Sequence, residues 1–455
     1  MSPRKLRRRW TDLFGGAGPE GAIESLGLRA EKQAQRQAVL LEPAARHCLQ
    51  PHALLDGNLF QPLIDGREAF AAMLAAIESA SASIDLETYL WEQDATGRRF
   101  AEALSARARA GVRVRLVVDG AGAWTWTTSS LFSALLRAGA QVALFHPMGP
   151  WRRRWGWSVR DHRKLLVCDS RVAFTGGLNL GDEYAPLEQG GRGWHDLHAR
   201  VEGPVVRSLQ RLFDDAFRYA SGERGRGWLK LREPRTHQHP SDLPASDARD
   251  PLPAAERAPP VDLLHANDPA RPGAARLQAL AVGRRRDRRF IQRHYQYAVS
   301  TARTQVSIFN AYFIPNKSWR RTLSRAARRG IRVRVLVPRA NDIPAVHYAS
   351  RFTYQALLDS GVRIFEYLPS MLHAKALVVD GNWCSIGSYN LDQRSLMYNW
   401  EIAVAGIAPD SCARLEALFE SDLSKSREID PLLWPKRGWL EKAKERFFYF
   451  FRLLL

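Results

Sequence analysis

The sequence predicts an α/β fold built from two similar halves, related by a pseudo-two-fold and sharing one site. Three observations carry that prediction. Strand-like and helix-like segments alternate along most of the 455 residues. Their order occurs twice, as expected of an internal duplication. Each copy contains a His-x-Lys pair, an aspartate five residues after the lysine, and an asparagine-bearing turn.

The elements justify themselves in pairs. "SIDLETYLW" (83–91) matches "VSIFNAYFIP" (306–315) as a strand running into a polar end. "RAGVRVRLVVDG" (109–120) matches "RRGIRVRVLVPR" (328–339), a helix end, a glycine stop and an alternating strand. "LLRAGAQVALFHP" (135–147) and "LLDSGVRIFEYLP" (357–369) repeat the same order. "DHRKLLVCDSRVAFTGGLNL" (161–180) matches "LHAKALVVDGNWCSIGSYNL" (372–391), and "GWHDLHARVEGP" (193–204) lies over "MYNWEIAVAGIAP" (397–409). Strands alternating with helices predict largely parallel pairing. The halves are expected at 51–221 and 276–430. A basic arm precedes them (1–50), and a Pro-, Ala-, Arg- and Asp-rich linker separates them (222–275), a composition that reads as a solvated tether.

A formal net charge of +20 calls for an anionic partner: nucleic acid, an anionic membrane or a phosphate-bearing substrate. Cys48, Cys168, Cys384 and Cys412 form no C-x-x-C pair, so no zinc site is predicted. Cys168 and Cys384 fall in apolar runs, read as buried thiols in a reducing, cytosol-facing setting. "MSPRKLRRRW" lacks a secretory apolar core, and no apolar run reaches the ~18 residues that span a bilayer.

In "MLHAKALVVDGN" (371–382), His373 and Lys375 lie at i and i+2 and point to one face of a strand, with Asp380 at its end. A lone strand histidine is ordinarily a core residue. Two unrelated core histidines would not each acquire a lysine at +2, an aspartate at +7 and a following asparagine turn. A buried lysine must also meet an anion. Facing one another across a pseudo-two-fold, His162, Lys164, His373 and Lys375 form one site for a phosphodiester. The lysines neutralise non-bridging oxygens as a metal does elsewhere, one histidine attacks phosphorus, and the other protonates the leaving oxygen. Asn179 and Asn390 are expected to donate further hydrogen bonds to phosphate. Aligning the repeats sets Asp196 opposite Glu401, expected to orient His162 and His373 respectively. Asp169 and Asp380, at strand ends, read from position alone as turn stabilisers.

The paired H-x-K-x(4)-D motifs, each with its G-G/S-x-N, resemble the phospholipase D superfamily. Within it, "LETYLWEQDATGRRFAEAL", "VEGPVV", "NAYFIP" and the tail "WPKRGW" are similar to bacterial cardiolipin synthases, in the short form without two N-terminal membrane spans. The resemblance implies two phospholipase-D-like halves with one active site, and transfer of a phosphatidyl group from phosphatidylglycerol to a second phospholipid without metal or cofactor. It assigns His162, Lys164 and Asp169 to the first catalytic motif and His373, Lys375 and Asp380 to the second, with His162 as nucleophile and His373 as acid. It also implies a peripheral enzyme on the cytoplasmic face of the bacterial inner (plasma) membrane. The linker and the basic arm lie outside the resemblance.

Two segments bear on a lipid rather than a nucleic-acid partner. The tail (431–455) carries Trp439, Ala443, Phe447, Phe450 and Leu454 at helical spacing, with Lys442, Lys444, Arg446 and Arg452 along it. A helix from Gly438 to the end would be about 27 Å long and would lie in an anionic membrane interface, the other reading being a terminal helix packed on the protein core. "PWRRRWGWSVRDH" (150–162), absent from the second repeat, could bind headgroups or stack bases. The other readings of the motifs are a phospholipase-D-type lipid hydrolase, a nuclease, or a non-catalytic lipid-binding protein, the last disfavoured by two complete motifs. The tail argues against nucleic acid as partner.

Overall fold

The structure, a computed structural model, describes residues 43–125, 129–147, 159–222, 273–283 and 288–453. Most of the basic arm, the centre of the Trp/Arg segment and nearly all of the linker lie outside the described residues.

The first half runs β1 (Leu55–Ile64), α1 (Asp65–Ser79), β2 (Ser83–Thr88), α2 (Ala95–Arg109), β3 (Arg113–Asp119), α3 (Ser130–Arg137), β4 (Gln141–Phe145), β5 (Leu165–Cys168), β6 (Val172–Gly176), β7 (Leu197–Glu202) and α4 (Val205–Ala220). The second runs β8 (Ala275–Val282), α5 (Phe290–Ser300), β9 (Gln305–Asn310), α6 (Lys317–Arg328), β10 (Arg332–Pro338), α7 (Pro344–Phe352), α8 (Tyr354–Leu358), β11 (Arg363–Tyr367), β12 (Lys375–Val379), β13 (Trp383–Gly387), α9 (Gln393–Met397), β14 (Glu401–Ile407) and α10 (Pro409–Ser424). A short β15 (Ser426–Glu428) and a terminal α11 (Trp439–Phe450) follow.

Strand order within the described sheet is β15-β11-β10-β9-β12-β13-β14-β8-β1-β7-β6-β5-β2-β3-β4. Outward from the β1–β8 junction the two halves are the same sequence of strands, which is the pseudo-two-fold. At that junction the strands pair antiparallel, Leu55 with Leu277 and Asn58 with Ala275. Side chains alternate between two faces. Leu166 and Cys168 enter the core under α1 and α2, and Leu377 and Val379 the matching core under α5 and α6. The opposite faces share one core, in which α4 and α10 pack on strands from both halves. The halves are therefore joined by a common apolar layer as well as by the sheet.

The expectation of largely parallel pairing needs correction. Strands β2, β3 and β4, and likewise β9, β10 and β11, are parallel, but the strands from β5 through β7 to β1, and their counterparts, are antiparallel. No helix separates β5 from β6 or β12 from β13. Asp169 and Ser170 have φ of 53°, and Asp380 and Gly381 have φ of 54° and 63°. Such left-handed pairs close tight hairpins, and hairpins pair antiparallel.

The same turns explain the motif aspartates. Asp169 accepts the backbone N–H groups of Ser81, Ala82 and Ser83 at 2.8 Å. Asp380 accepts those of Arg303, Thr304 and Gln305 at 2.8–2.9 Å. Each carboxylate ties its hairpin to the segment entering the neighbouring strand. Pro43–His47, part of the arm, docks on the second half rather than standing apart. Ala45 and Cys48 enter its core, and His47 Nε2 lies 3.3 Å from Asp380. All four cysteines are buried and free.

The tail forms a helix of 12 residues, shorter than the one expected from Gly438 to the end, and its inner face packs on the second half. Phe448 stacks on Tyr348 at 5.5 Å and Tyr449 on Phe352 at 4.3 Å. Glu445 is buried between Arg351 and Arg437. Trp439, Leu440, Phe447 and Phe450 face outward. No helix among the described residues is long and apolar enough to cross a membrane.

Burial pushes the Asp380 carboxyl up, but the N–H groups of Gln305, Thr304 and Arg303 outweigh it and hold its pKa below the usual value. Its contribution to stability is thus present above about pH 4 and lost as pH falls through the lowered pKa. Asp380→Ala is expected to lower unfolding free energy by about 1–3 kcal/mol at pH 7. The rate per folded molecule should stay within about twofold, because the carboxylate lies about 16 Å along the strand from Lys375. Thermal unfolding and assay of the same preparation check both.

Candidate active site

Four backbone hydrogen bonds build the site by joining each half to the other. Trp400 N–H donates to Arg160 O (2.8 Å) and His162 N–H to Trp400 O (2.9 Å). In the symmetric place, His195 N–H donates to Met371 O (2.9 Å) and His373 N–H to His195 O (2.7 Å). The residue preceding each carboxylate is thereby bridged to the segment carrying the opposite half's histidine.

The pairing of carboxylates with histidines is consequently crossed. His162 Nδ1 lies 3.1 Å from both oxygens of Glu401, and His373 Nδ1 lies 2.6 Å from Asp196 Oδ2. The sequence reading assigned Asp196 to His162 and Glu401 to His373. That assignment is wrong because repeat alignment identifies equivalent residues within halves, whereas the bridges form between them. An ionised carboxylate only accepts, so each Nδ1 carries the hydrogen and each Nε2 keeps its lone pair.

Lys164 Nζ donates to His162 O at 2.8 Å, and Lys375 Nζ donates to His373 O. Tyr89 meets the edge of His162 at 5.1 Å and lies 5.3 Å from Lys164 Nζ. Tyr312 stands in the matching place, 5.9 Å from both His373 and Lys375 Nζ. Tyr184 OH comes within 3.4 Å of His373 Nδ1. Asn179 and Asn390 are buried, and each leaves Oδ1 unpartnered. Asn179 Nδ2 gives one of its two hydrogens to Tyr184 OH (2.7 Å) and keeps the other.

The turn position before each asparagine is explained by the carboxylate above it. A Cβ on Gly177 would sit 2.1 Å from Asp196 Oδ1, so only glycine leaves room. Ser388, at the equivalent place, donates its hydroxyl to Glu401. Ser395 (2.8 Å) and Asn399 (3.2 Å) also donate to Glu401, which is nearly saturated, whereas Asp196 takes His373 and its neighbour Leu197 N–H.

Electrostatics join the halves as well. Burial, aided by the Lys164 ammonium and opposed by Glu401, drives His162 down to about 4, with Lys375 adding to the drop. Burial and then Lys375 lower His373, against Asp196. Burial pulls Lys164 down to about 7 and Lys375 to about 8, against the pull of Glu401 and Asp196. Burial pushes both carboxyls up, but Lys375 and His373 on Asp196, and His162 and Lys164 on Glu401, hold them below their ordinary values. At neutral pH the site thus holds two neutral imidazoles and two partly charged lysines. Asp169 and Asp380, carried over as catalytic by resemblance, are not brought here. They stay at the far ends of β5 and β12, in their turns.

A family model described as "Cardiolipin synthase, PLD-like domain" matches residues 73–189 and 297–423, one segment in each half. The chain belongs to the PLD-like cardiolipin synthase family. Membership makes it a phospholipid phosphatidyltransferase of the phospholipase D superfamily. It is 30% identical over 385 residues to the probable cardiolipin synthase YwiE of Bacillus subtilis (strain 168), covering 85% of this chain and 70% of that protein. It is 30% identical over 403 residues to cardiolipin synthase A of Escherichia fergusonii, covering 88% and 76%. The crystal structure of phosphatidylserine synthase from Haemophilus influenzae Rd KW20 superposes with a TM-score of 0.63 at 15% identity, over 91% of this chain and all of that one, a likeness of fold.

Sequence reasoning missed several residues of this family site. Tyr89 and Tyr312 were visible as the shared tyrosine of "LETYLW" and "NAYFIP", but their approach to the lysines depends on strand register. Ser395, Asn399 and Tyr184 carry no repeat signal, since their counterparts differ.

Proposed function

We propose that the chain moves a phosphatidyl group from phosphatidylglycerol to a hydroxyl of a second phospholipid, through a phospho-histidine on His162. The observation that carries this reading is the crossed site, in which each imidazole is held at Nδ1 by the other half's carboxylate and each lysine is tied to the backbone of its own motif histidine. A bound phosphodiester returns the lysines toward ammonium, and its charge lets His373 hold a second proton at Nε2 against Asp196. His162 Nε2 attacks phosphorus and the bond to the glycerol headgroup breaks. The leaving oxygen takes the proton from His373 Nε2. His373, now neutral, accepts the proton of the entering hydroxyl. That oxygen then displaces His162, restoring the site.

The assignment of roles rests on the asymmetry between the carboxylates. Glu401, already filled by three other donors, pulls little positive charge onto His162, which suits a nucleophile. Asp196 faces His373 at 2.6 Å with fewer competitors, which suits an acid. Lys164 and Lys375 bind the non-bridging oxygens, and Asn179 and Asn390 line the site beside them.

For the partner surface, the reading is a peripheral enzyme at an anionic membrane, the cytoplasmic face of the bacterial inner membrane. Supporting it is the outward face of α11, with Trp439 and Phe450 each 75% exposed and Phe450 beside Arg446 and Arg452. An open cavity of about 690 Å³ there is lined by Phe352, Phe447, Phe450, Arg446 and Arg452. Aromatic groups with adjacent guanidinium groups fit the headgroup region. The four free, buried thiols fit a reducing compartment.

Purified protein given vesicles of isotopically labelled phosphatidylglycerol is expected to form dimeric product by mass spectrometry, undiminished by chelator. His373→Asn should lower the rate by about 10²–10⁴. Phosphatidic acid as the sole product points to a hydrolase, and a chelator-resistant cut in DNA or RNA to a nuclease. Either overturns the transferase reading. Replacing Phe447 and Phe450 together by serine should weaken sedimentation with anionic vesicles at least about tenfold. Unchanged sedimentation contradicts the membrane role of α11.

A further inference from the structure

His195 precedes Asp196 and occupies the position that Trp400 holds in the second half. Its ring is buried and bonded at both nitrogens, Nδ1 2.7 Å from Asp65 Oδ1 and Nε2 2.8 Å from Asp422 Oδ2. Asp65 opens α1 of the first half, whereas Asp422 lies on α10 of the second. A ring facing two carboxylates donates from both nitrogens and is therefore an imidazolium. Burial pulls it down, but the hydrogen bonds to Asp422 and Asp65 outweigh that and push it up to about 10. Tyr367 stacks on the ring at 5.1 Å, and Lys425 stands 3.9 Å from the other oxygen of Asp422.

The partners of this ring lead to the catalytic pair by two routes. Asp65, at φ 58°, donates its backbone N–H to Asp196 O and accepts the Asp196 N–H on Oδ1, both at 2.9 Å. The backbone of His195 itself bonds Met371 O and His373 N–H. The segment carrying Asp196 and the segment carrying His373 are thus both fastened to one residue.

We propose that His195 is a positioning residue, a bridge between Asp65 and Asp422 that locks α10 of the second half to the Asp196 segment and keeps Asp196 in line with His373 Nδ1. The other pair has no such bridge. Trp400 instead packs on Phe145 (4.9 Å) and Tyr219 (5.0 Å) with Arg163 over its ring (4.8 Å), while Glu401 is held by Ser388, Ser395 and Asn399. Loosening the bridge should therefore affect one histidine and spare the other. The inference rests on the reading of His373 as catalytic.

The test uses histidine labelled with ¹⁵N in the full chain. The downfield Nδ1–H resonances of His162 and His373 are assigned by their loss in His162→Asn and His373→Asn. In Asp422→Asn, the His373 resonance is expected to move or to exchange away while that of His162 stays. The kcat for phosphatidyl transfer should fall about tenfold or more at unchanged KM, as for other groups that orient a working histidine. Asp65→Asn, at a carboxylate whose side chain is 40% exposed, gives the same two readings if the buried change unfolds the chain. An unmoved His373 resonance with unchanged kcat overturns the proposal, as do two resonances that shift together. The resonances report geometry whether or not phosphatidyl groups are transferred, so a wrong reaction and a wrong bridge fail separately.

Discussion

The site depends on a pair of short backbone bridges that cross between the halves. Without the bonds from Trp400 to Arg160 and His162, and from His195 to Met371 and His373, each histidine would sit at the end of a strand with no acceptor for its ring. With them, each imidazole is oriented by a carboxylate that belongs to the other half. Neither half holds a complete set of groups. A duplication that began as two similar units has become one site because the polar requirements of each unit are met by its twin.

Burial then decides the chemistry. Two lysines, two histidines and two carboxylates lie out of solvent, and low dielectric penalises every charged form. The carboxylates keep their charge because lysine and histidine face them, and the histidines give theirs up. In the proposed reaction a phosphodiester adds one more anion to this site, and the second proton on His373 offsets it.

Much of this was legible in the sequence. The duplication, the His-x-Lys faces and the pair Asp196/Glu401 follow from repeats and strand parity, which are local. The crossing did not follow, because it depends on how two repeats meet. The antiparallel hairpins were readable in principle from the Asp-Gly of 380–381 and the lack of a helix between the motif strand and the next. The alternation elsewhere hid them. Asp169 and Asp380 show how a motif residue can be retained for its turn, since three backbone N–H groups and a left-handed φ explain each of them. Gly177 and Ser388 look like a loose match in sequence and become a strict one in space, fitted to a short carboxylate and a long one.

The halves are equivalent in topology and unequal in detail, and the proposed division of work between the two histidines rests on that inequality. Besides its histidine, one carboxylate accepts from three side chains and the other from a single backbone N–H, and among the described residues a charged bridge stands behind the second alone. The most direct test of a single shared centre is the number of phosphatidyl groups that one chain can carry. Intact-mass analysis of enzyme quenched in base during turnover should find at most one adduct per chain, on His162. Two adducts per chain, one on each histidine, would mean two independent sites and would contradict the account.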